Sequence, residues 1–261
     1  MPSQSVASAN ASFEDDWRPE QYLASYYRSV QPDEQATMRF LVRAASMIGS
    51  VPMMLEFGCG PTVHHLFPFA RSAHMIHVAD YLECNLDAVA DWMTGAPDCH
   101  DWSSFVSFTL RDEGGLEPTA DEVDERVRLT RNRIVSRHLA DARYVRPLGH
   151  ANPHRGYPLV LCCFCPDSIT DEIDEWRRCM RNIVSLVEPG GWFVFTALRN
   201  AAAYRVGDSM FPSAGVTEFD VAEVLRSEGF SRGDLSIEVA DVVDEKNHGF
   251  SSVIFAIGRR R

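Results

Sequence analysis

Leu55-Glu56-Phe57-Gly58-Cys59-Gly60-Pro61-Thr62 is the stretch that decides the fold. The apolar run Met53 to Phe57 has the length and composition of a buried strand, and Gly58 and Gly60 break it into a tight turn. Glycine has no Cβ and accepts positive φ, so the main chain here can lie against a ligand where other residues would clash. A strand ending in an acid and running into such a turn predicts a ligand crevice at the strand's carboxyl end.

Working outward, a second apolar run, Met75 to Ala79, ends at Asp80. That is the position from which a carboxylate reaches ribose hydroxyls in Rossmann-like sheets. The residues after Gly60 are Pro61, Thr62, Val63 and His64, so the third glycine of the dinucleotide fingerprint is missing. The turn therefore suits a nucleoside ligand without a pyrophosphate better than NAD or FAD. A nucleotide-cofactor oxidoreductase and a catalytically silent binder remain as alternatives from other classes.

Short apolar runs alternate with longer helical patterns along the whole chain, which predicts a parallel sheet with crossover helices. Trp17 to Val30 is aromatic-rich, and Glu34 to Ile48 carries Met38, Leu41, Val42 and Ala45 on one helical face. Further helices are expected from Val63, over Leu82 to Met93, from Thr170 to Val187 and over Val221 to Ser227. Pro189-Gly190-Gly191 is read as the stop of the third of these. Leu159 to Phe164, Trp192 to Ala197, Leu235 to Val243 and Ser251 to Ile257 read as strands, the last two joined as a hairpin through Asn247, His248 and Gly249. Residues 98 to 117 give no firm period. Thr119-x-x-Glu122 is a capping box opening a charged helix whose bases, from Arg126 to Arg137, follow its acids and suit its dipole on a solvated face.

Composition excludes several classes. A formal charge of −12 over 261 residues opposes phosphate binding, so a polynucleotide partner is not expected. No apolar stretch approaches the roughly 18 residues of a membrane span. Residues 1–16 read as a disordered leader without a secretory pattern, residues 17–50 as a helical cap and residues 51–261 as the core. With seven cysteines in no disulfide framework, a reducing, cytoplasmic location is expected. Cys162, Cys163 and Cys165 are read as free thiols, and His64 and His65 form no spaced pair with a carboxylate, so no metal is expected. A monomer or weak dimer is anticipated.

With these residues assembled, the chain resembles the family of nicotinamide, phenylethanolamine and indolethylamine N-methyltransferases over nearly its whole length. The resemblance rests on Tyr22-Leu23-Ala24-Ser25-Tyr26-Tyr27, on Gly60-Pro61-Thr62, on Asp80-Tyr81 with Asn85-Leu86, on Asp101-Trp102, and on Leu139-Ala140-Asp141-Ala142. It implies a Rossmann-like class I methyltransferase: a mostly parallel seven-stranded sheet with helices on both faces, an antiparallel C-terminal hairpin and an N-terminal helical cap. It also implies that S-adenosylmethionine, leaving as S-adenosylhomocysteine, is held by Tyr22, Tyr27, Gly58, Cys59, Gly60, Asp80, Tyr81, Asn85, Asp141, Ala142 and Cys163. The expected acceptor is a small aromatic or arylalkyl amine.

Methyl transfer to an amine needs a dry, well-aligned pocket and a group to take the amine proton. Asp167, just past a strand's carboxyl end, is the candidate catalytic residue, with a helix cap as its alternative role. Tyr27, Asp167, Thr196, Asn200, Tyr204 and His248 are the candidate acceptor contacts. Thr196 and Asn200 depart from the family pattern, in which an acid often occupies the first position. That loss motivates the alternative of carbon methylation on an electron-rich indole ring in a specialised-metabolite pathway.

Overall fold

The computed structural model describes residues 11–154, 156–242, 250 and 252–261. The chain opens with α1 (Phe13–Asp16), α2 (Pro19–Tyr26) and α3 (Pro32–Ile48). Pro32 at the first turn, acids Asp33 and Glu34 beside it, and Gly49 with φ of 71° after Ile48 give α3 its two ends. The leader read as disordered through residue 16 is helical from Phe13, because the Phe13 ring packs 5.0 Å from that of Phe211.

The core follows as β1 (Val51–Phe57), a 3₁₀ turn (His64–Phe69), β2 (Ala73–Asp80), α4 (Glu83–Thr94), α5 (Ser103–Gly114), α6 (Ala120–Arg133), β3 (Ile134–Leu139) and β4 (Tyr157–Cys163). It continues with α7 (Ile173–Val184), β5 (Val187–Leu198), the hairpin β6 (Ala203–Val206) and β7 (Ser209–Pro212), α8 (Glu218–Ser227), β8 (Phe230–Asp241) and β9 (Ser252–Arg260). The seven-stranded sheet runs β3-β2-β1-β4-β5-β9-β8, while β6 and β7 form a separate pair. Strands β1 to β5 are parallel, and β9 pairs antiparallel with both β5 and β8.

Successive strand residues face opposite layers. Met54, Leu159 and Leu161 join Met38 and Leu41 of α3 in one core, while Leu55, Val160 and Cys162 meet Trp176 and Met180 of α7 in the other. From β1 the chain winds outward through β2 to β3, then returns to build β4 on the other side. The reversal places a crevice at the carboxyl ends of β1 and β4, directly over the glycine turn.

Several elements differ from the sequence reading. The charged helix stops at Arg133, and Arg137 belongs to β3, where its Nη1 donates to the Leu86 carbonyl at 2.9 Å. Arg126 is not solvated: it is 2% exposed and grips both carboxylate oxygens of Glu113, at 2.9 and 2.6 Å. Pro189-Gly190-Gly191 lies inside β5, where the register against β4 shifts, instead of ending a helix. The α7 helix ends earlier, at Val184. No helix among the described residues is long and apolar enough to cross a membrane.

Candidate active site

The glycine turn is pinned to the end of β2. Gly58 and Gly60 have φ of 73° and 58°. The amides of Gly58 and Cys59 both donate to the Ala79 carbonyl, at 2.8 and 3.1 Å. The Gly60 amide donates to Asp80 Oδ2 at 2.7 Å, and Thr62 Oγ1 caps the turn through the Cys59 carbonyl at 2.7 Å. A Cβ on Gly58 would overlap Cys165 Sγ and Cβ, so this loop closes only on glycine.

Asp80 is the hub of the site. Its Oδ1 accepts from the Leu82 amide and from Asn85 Nδ2, both at 2.9 Å, and Asn85 Oδ1 in turn accepts from Trp17 Nε1 at 2.8 Å. An ionised carboxylate has about four acceptor positions; the Leu82, Asn85 and Gly60 donors take three, and the Tyr81 amide also acts on it. Burial raises its pKa, while the Leu82 amide, Asn85 and the Gly60 amide pull back toward the charged form.

A cavity of about 330 Å³ opens over this hub. Tyr22, Tyr27, Gly58, Cys59, Gly60, Asp80, Tyr81, Asn85, Asp141, Ala142 and Cys163 all line it. The structure therefore gathers every residue expected at the cofactor from five separate stretches of chain. Asp141 is fixed by Arg143, whose Nε and Nη2 each reach it at 2.9 Å. The Arg143 guanidinium lies 4.9 Å over the Tyr81 ring, and the Tyr81 hydroxyl donates to Glu14 at 2.6 Å. This chain of contacts ties α1 to the far rim of the crevice.

The expected acceptor residues divide. Tyr27 and Tyr204 line the cavity; Thr196 is fully buried within β5 and Asn200 is exposed, and neither lines it. His248 lies outside the described residues. Asp167 is fully buried just behind the wall, bracketed by the lining residues Cys165, Ser168 and Ile169. Helix α7 starts at Ile173 with Glu172 at its cap, so Asp167 is not that helix's cap. Instead Oδ2 accepts from the Leu198 amide at 3.0 Å, while Oδ1 has no partner. Burial pushes its pKa up to about 7, against the pull of the Leu198 amide.

Other lining residues were not assigned to the site in the sequence reading. Trp17, Glu34, Thr62, His65, Arg143 and Cys165 all face the cavity. Glu34 stands 4% exposed on α3, one helical turn before Thr37 and Met38, which are fully buried. An acid on an apolar stripe is the signal that marks it. It meets His64 at 3.1 Å, while Glu56 meets His65 at 3.1 Å. Phe164, at φ of 51°, is a strained non-glycine residue in the wall, a feature typical of functional sites.

These residues fit an adenosyl donor. A buried carboxylate at the end of β2, a backbone cradle closed by glycine and an aromatic roof suit a ribosyl group carrying an apolar reactive centre. Comparison with known proteins agrees: the family model described as NNMT/PNMT/TEMT family matches residues 5–260. The chain belongs to that family. Human nicotinamide N-methyltransferase is 26% identical over 222 residues, which cover 82% of each chain. Mouse indolethylamine N-methyltransferase is 27% identical over 232 residues, 83% of each chain. Human phenylethanolamine N-methyltransferase is 25% identical over 186 residues, 70% of this chain and 64% of that one. Among solved structures, the N-methyltransferase NodS of Bradyrhizobium japonicum WM9 in complex with S-adenosylhomocysteine aligns with a TM-score of 0.53 at 14% identity. That alignment covers 93% of this chain and 96% of that one, and it shows the shared fold. As a family member the chain is an S-adenosylmethionine-dependent methyltransferase.

Proposed function

We propose that the acceptor is the nitrogen of a small aromatic or arylalkyl amine. The observation that carries this reading is the aromatic end of the cavity beside the glycine turn. There Trp17, Tyr22, Tyr26 and Tyr204 face inward, and the Trp17 and Tyr22 rings are 4.8 Å apart. Such walls bury a flat ring at low entropic cost. The similar proteins named above, which carry nicotinamide, indolethylamine and phenylethanolamine in their names, point the same way.

The bound donor supplies an electrophilic methyl group on a sulfonium. Asp80 would hold the ribose, Asp141 and Ala142 would flank the adenine, and the Gly58 to Gly60 backbone with Cys163 would support the amino-acid end. Tyr22 and Tyr27, whose hydroxyls are 3.1 Å apart, would cover the reactive centre and exclude water. An amine attacks only when unprotonated. Asp167, with a pKa of about 7 and an unpartnered Oδ1, is the group placed to take the amine proton, from behind the wall that Ser168 and Leu198 line. The carbon-methylation alternative drew on Thr196, whose side chain is buried away from the cavity, so no residue in the pocket favours it.

An acceptor screen with labelled S-adenosylmethionine and NMR of the product tests this. Turnover of aryl or arylalkyl amines with a nitrogen-bound methyl is expected. A carbon-bound methyl, or turnover confined to acceptors without nitrogen, would overturn the amine reading.

A further inference from the structure

Glu34 of α3 and His65 of the 3₁₀ turn line the cavity, and His64 converges with them from behind, its ring 4.7 Å from Tyr27. Their ligand atoms lie within 4.8 Å of one another, a grouping that no other set of three such residues achieves among the described residues. All three side chains are at most 6% exposed. We propose that Glu34, His64 and His65 form a binding site for a divalent transition-metal ion of the zinc type.

Four observations support the site. First, two imidazoles and a carboxylate with one position left open form a donor set suited to zinc and its neighbours, not to magnesium or calcium. Second, the donors are already gathered: Glu34 Oε2 and His64 Nε2 are 3.1 Å apart in a hydrogen bond, and all three donor atoms lie within 4.8 Å, a span that small side-chain movements close to ligand spacing. Two donors on a tetrahedral zinc stand about 3.3–3.5 Å apart, given bonds of about 2.0–2.2 Å. Third, an outer partner is in place. His65 Nδ1 and Glu56 Oε1 are 3.1 Å apart, while Nε2 of the same ring has no hydrogen-bond partner. A carboxylate orienting a histidine in this way is the usual second shell of a zinc ligand.

The fourth observation is charge. Glu34 and Glu56 are both buried, at 4% and 1% exposure, and Glu56 Oε2 has no partner. Two carboxylates and two neutral imidazoles balance one divalent cation, in a region walled by the Trp102 ring stacked 4.9 Å from His64 and by Tyr27 at 4.7 Å. Each acid already meets one imidazole, Glu34 with His64 and Glu56 with His65, and burial raises Glu34 to about 7, so a bound ion would displace protons held by these pairs. Glu34 and His65 also line the cavity, which gives an ion its entry path and leaves the open position facing the ligand space.

The test uses the tag-free full-length chain after chelator dialysis, with zinc titrated calorimetrically and bound metal counted by mass spectrometry. One zinc per chain is expected, with affinity falling at least 100-fold in Glu34→Gln and in His64→Gln, and about 10- to 100-fold in Glu56→Gln. Circular dichroism establishes that each variant folds. His138→Gln is the control, because His77 and His138 form a second imidazole pair, 3.2 Å apart, at the β2 and β3 edge; this variant should bind zinc as the wild type does. Zinc-edge X-ray absorption on the wild type, which needs no variant to fold, should show two imidazoles in the first shell. Absence of zinc binding by the wild type, unchanged binding in folded Glu34→Gln, loss in His138→Gln, or a shell dominated by sulfur would each overturn the proposal. None of these readouts depends on the identity of the acceptor.

Discussion

Replacing Gly58 by alanine adds one methyl group at the point where β1 meets the cavity, and its cost follows from two separate terms. The residue has φ of 73°, a conformation that costs an L-residue about 1–2 kcal/mol. The new Cβ would also overlap Cys165 Sγ and Cβ, and overpacking of that kind costs about 1–3 kcal/mol. Together these amount to about 2–5 kcal/mol, a large share of the roughly 5–15 kcal/mol by which a domain is stable. The two terms separate in a double-mutant cycle, because Cys165→Gly removes both overlapping atoms and leaves the backbone term in place. Denaturant unfolding of wild type, Gly58→Ala, Cys165→Gly and the double variant should give a favourable coupling of about 1–3 kcal/mol. Calorimetry with S-adenosylhomocysteine on the same set should show weakened binding wherever alanine occupies position 58, because the turn that carries Asp80's amide donor is displaced. If Gly58→Ala unfolds within about 0.5 kcal/mol of wild type, or if Cys165→Gly gives no rescue, the account of this turn as closable only on glycine is wrong.

Three further outcomes are expected. Asp80→Ala removes a charged partner of the ligand and of the Gly60 amide; at about 1.5–3 kcal/mol for such a bond, donor affinity should fall about 10- to 100-fold, and an unchanged dissociation constant by calorimetry would reject the assignment. For Asp167, burial holds the folded pKa near 7, above the unfolded value of about 3.9, so its contribution to stability is present below about pH 4 and is lost as pH rises through 7, while the proton-accepting form grows over the same range; Asp167→Asn should flatten both the fall in stability and the rise in kcat between pH 5 and 8, and a rate profile identical to wild type would remove it from the reaction. Arg126→Ala leaves Glu113 and the Phe67 carbonyl without their shared partner, and a loss of about 3–5 kcal/mol in denaturant unfolding is expected; a loss under 1 kcal/mol would show that the pair is replaced by water.

The parallel centre of the sheet was legible because its strands are apolar on both faces. Met53 to Phe57, Met75 to Ala79 and Leu159 to Phe164 each stand out against polar flanks, and each sits in the interior of the observed order. β3 escaped notice for the opposite reason. Ile134-Val-Ser-Arg-His-Leu139 is an edge strand with only Ile134 buried, and it continues without a break from the arginine-rich end of α6. The hairpin of β6 and β7 was equally silent, since it belongs to a local sheet packed under α1 and not to the main core.

The site shows the same division at finer scale. Residues on strand ends and their turns, such as Gly58, Asp80 and Asp141, are fixed by local geometry that a sequence motif encodes directly. Glu34, Trp17 and Glu14 come from the cap, and each reaches the crevice through a contact between residues 30 to 68 positions apart in the chain. No spacing rule reports such partners; only the packing of α1 and α3 over the sheet brings them in. Histidines at 64 and 65 look unremarkable beside Pro61 and Thr62, yet the fold gives one of them Glu34 and the other Glu56. The candidate site residues on the core strands are therefore readable from local motifs, whereas Glu34, Trp17 and Glu14 enter the cavity only through what the amino-terminal helices lay over the sheet.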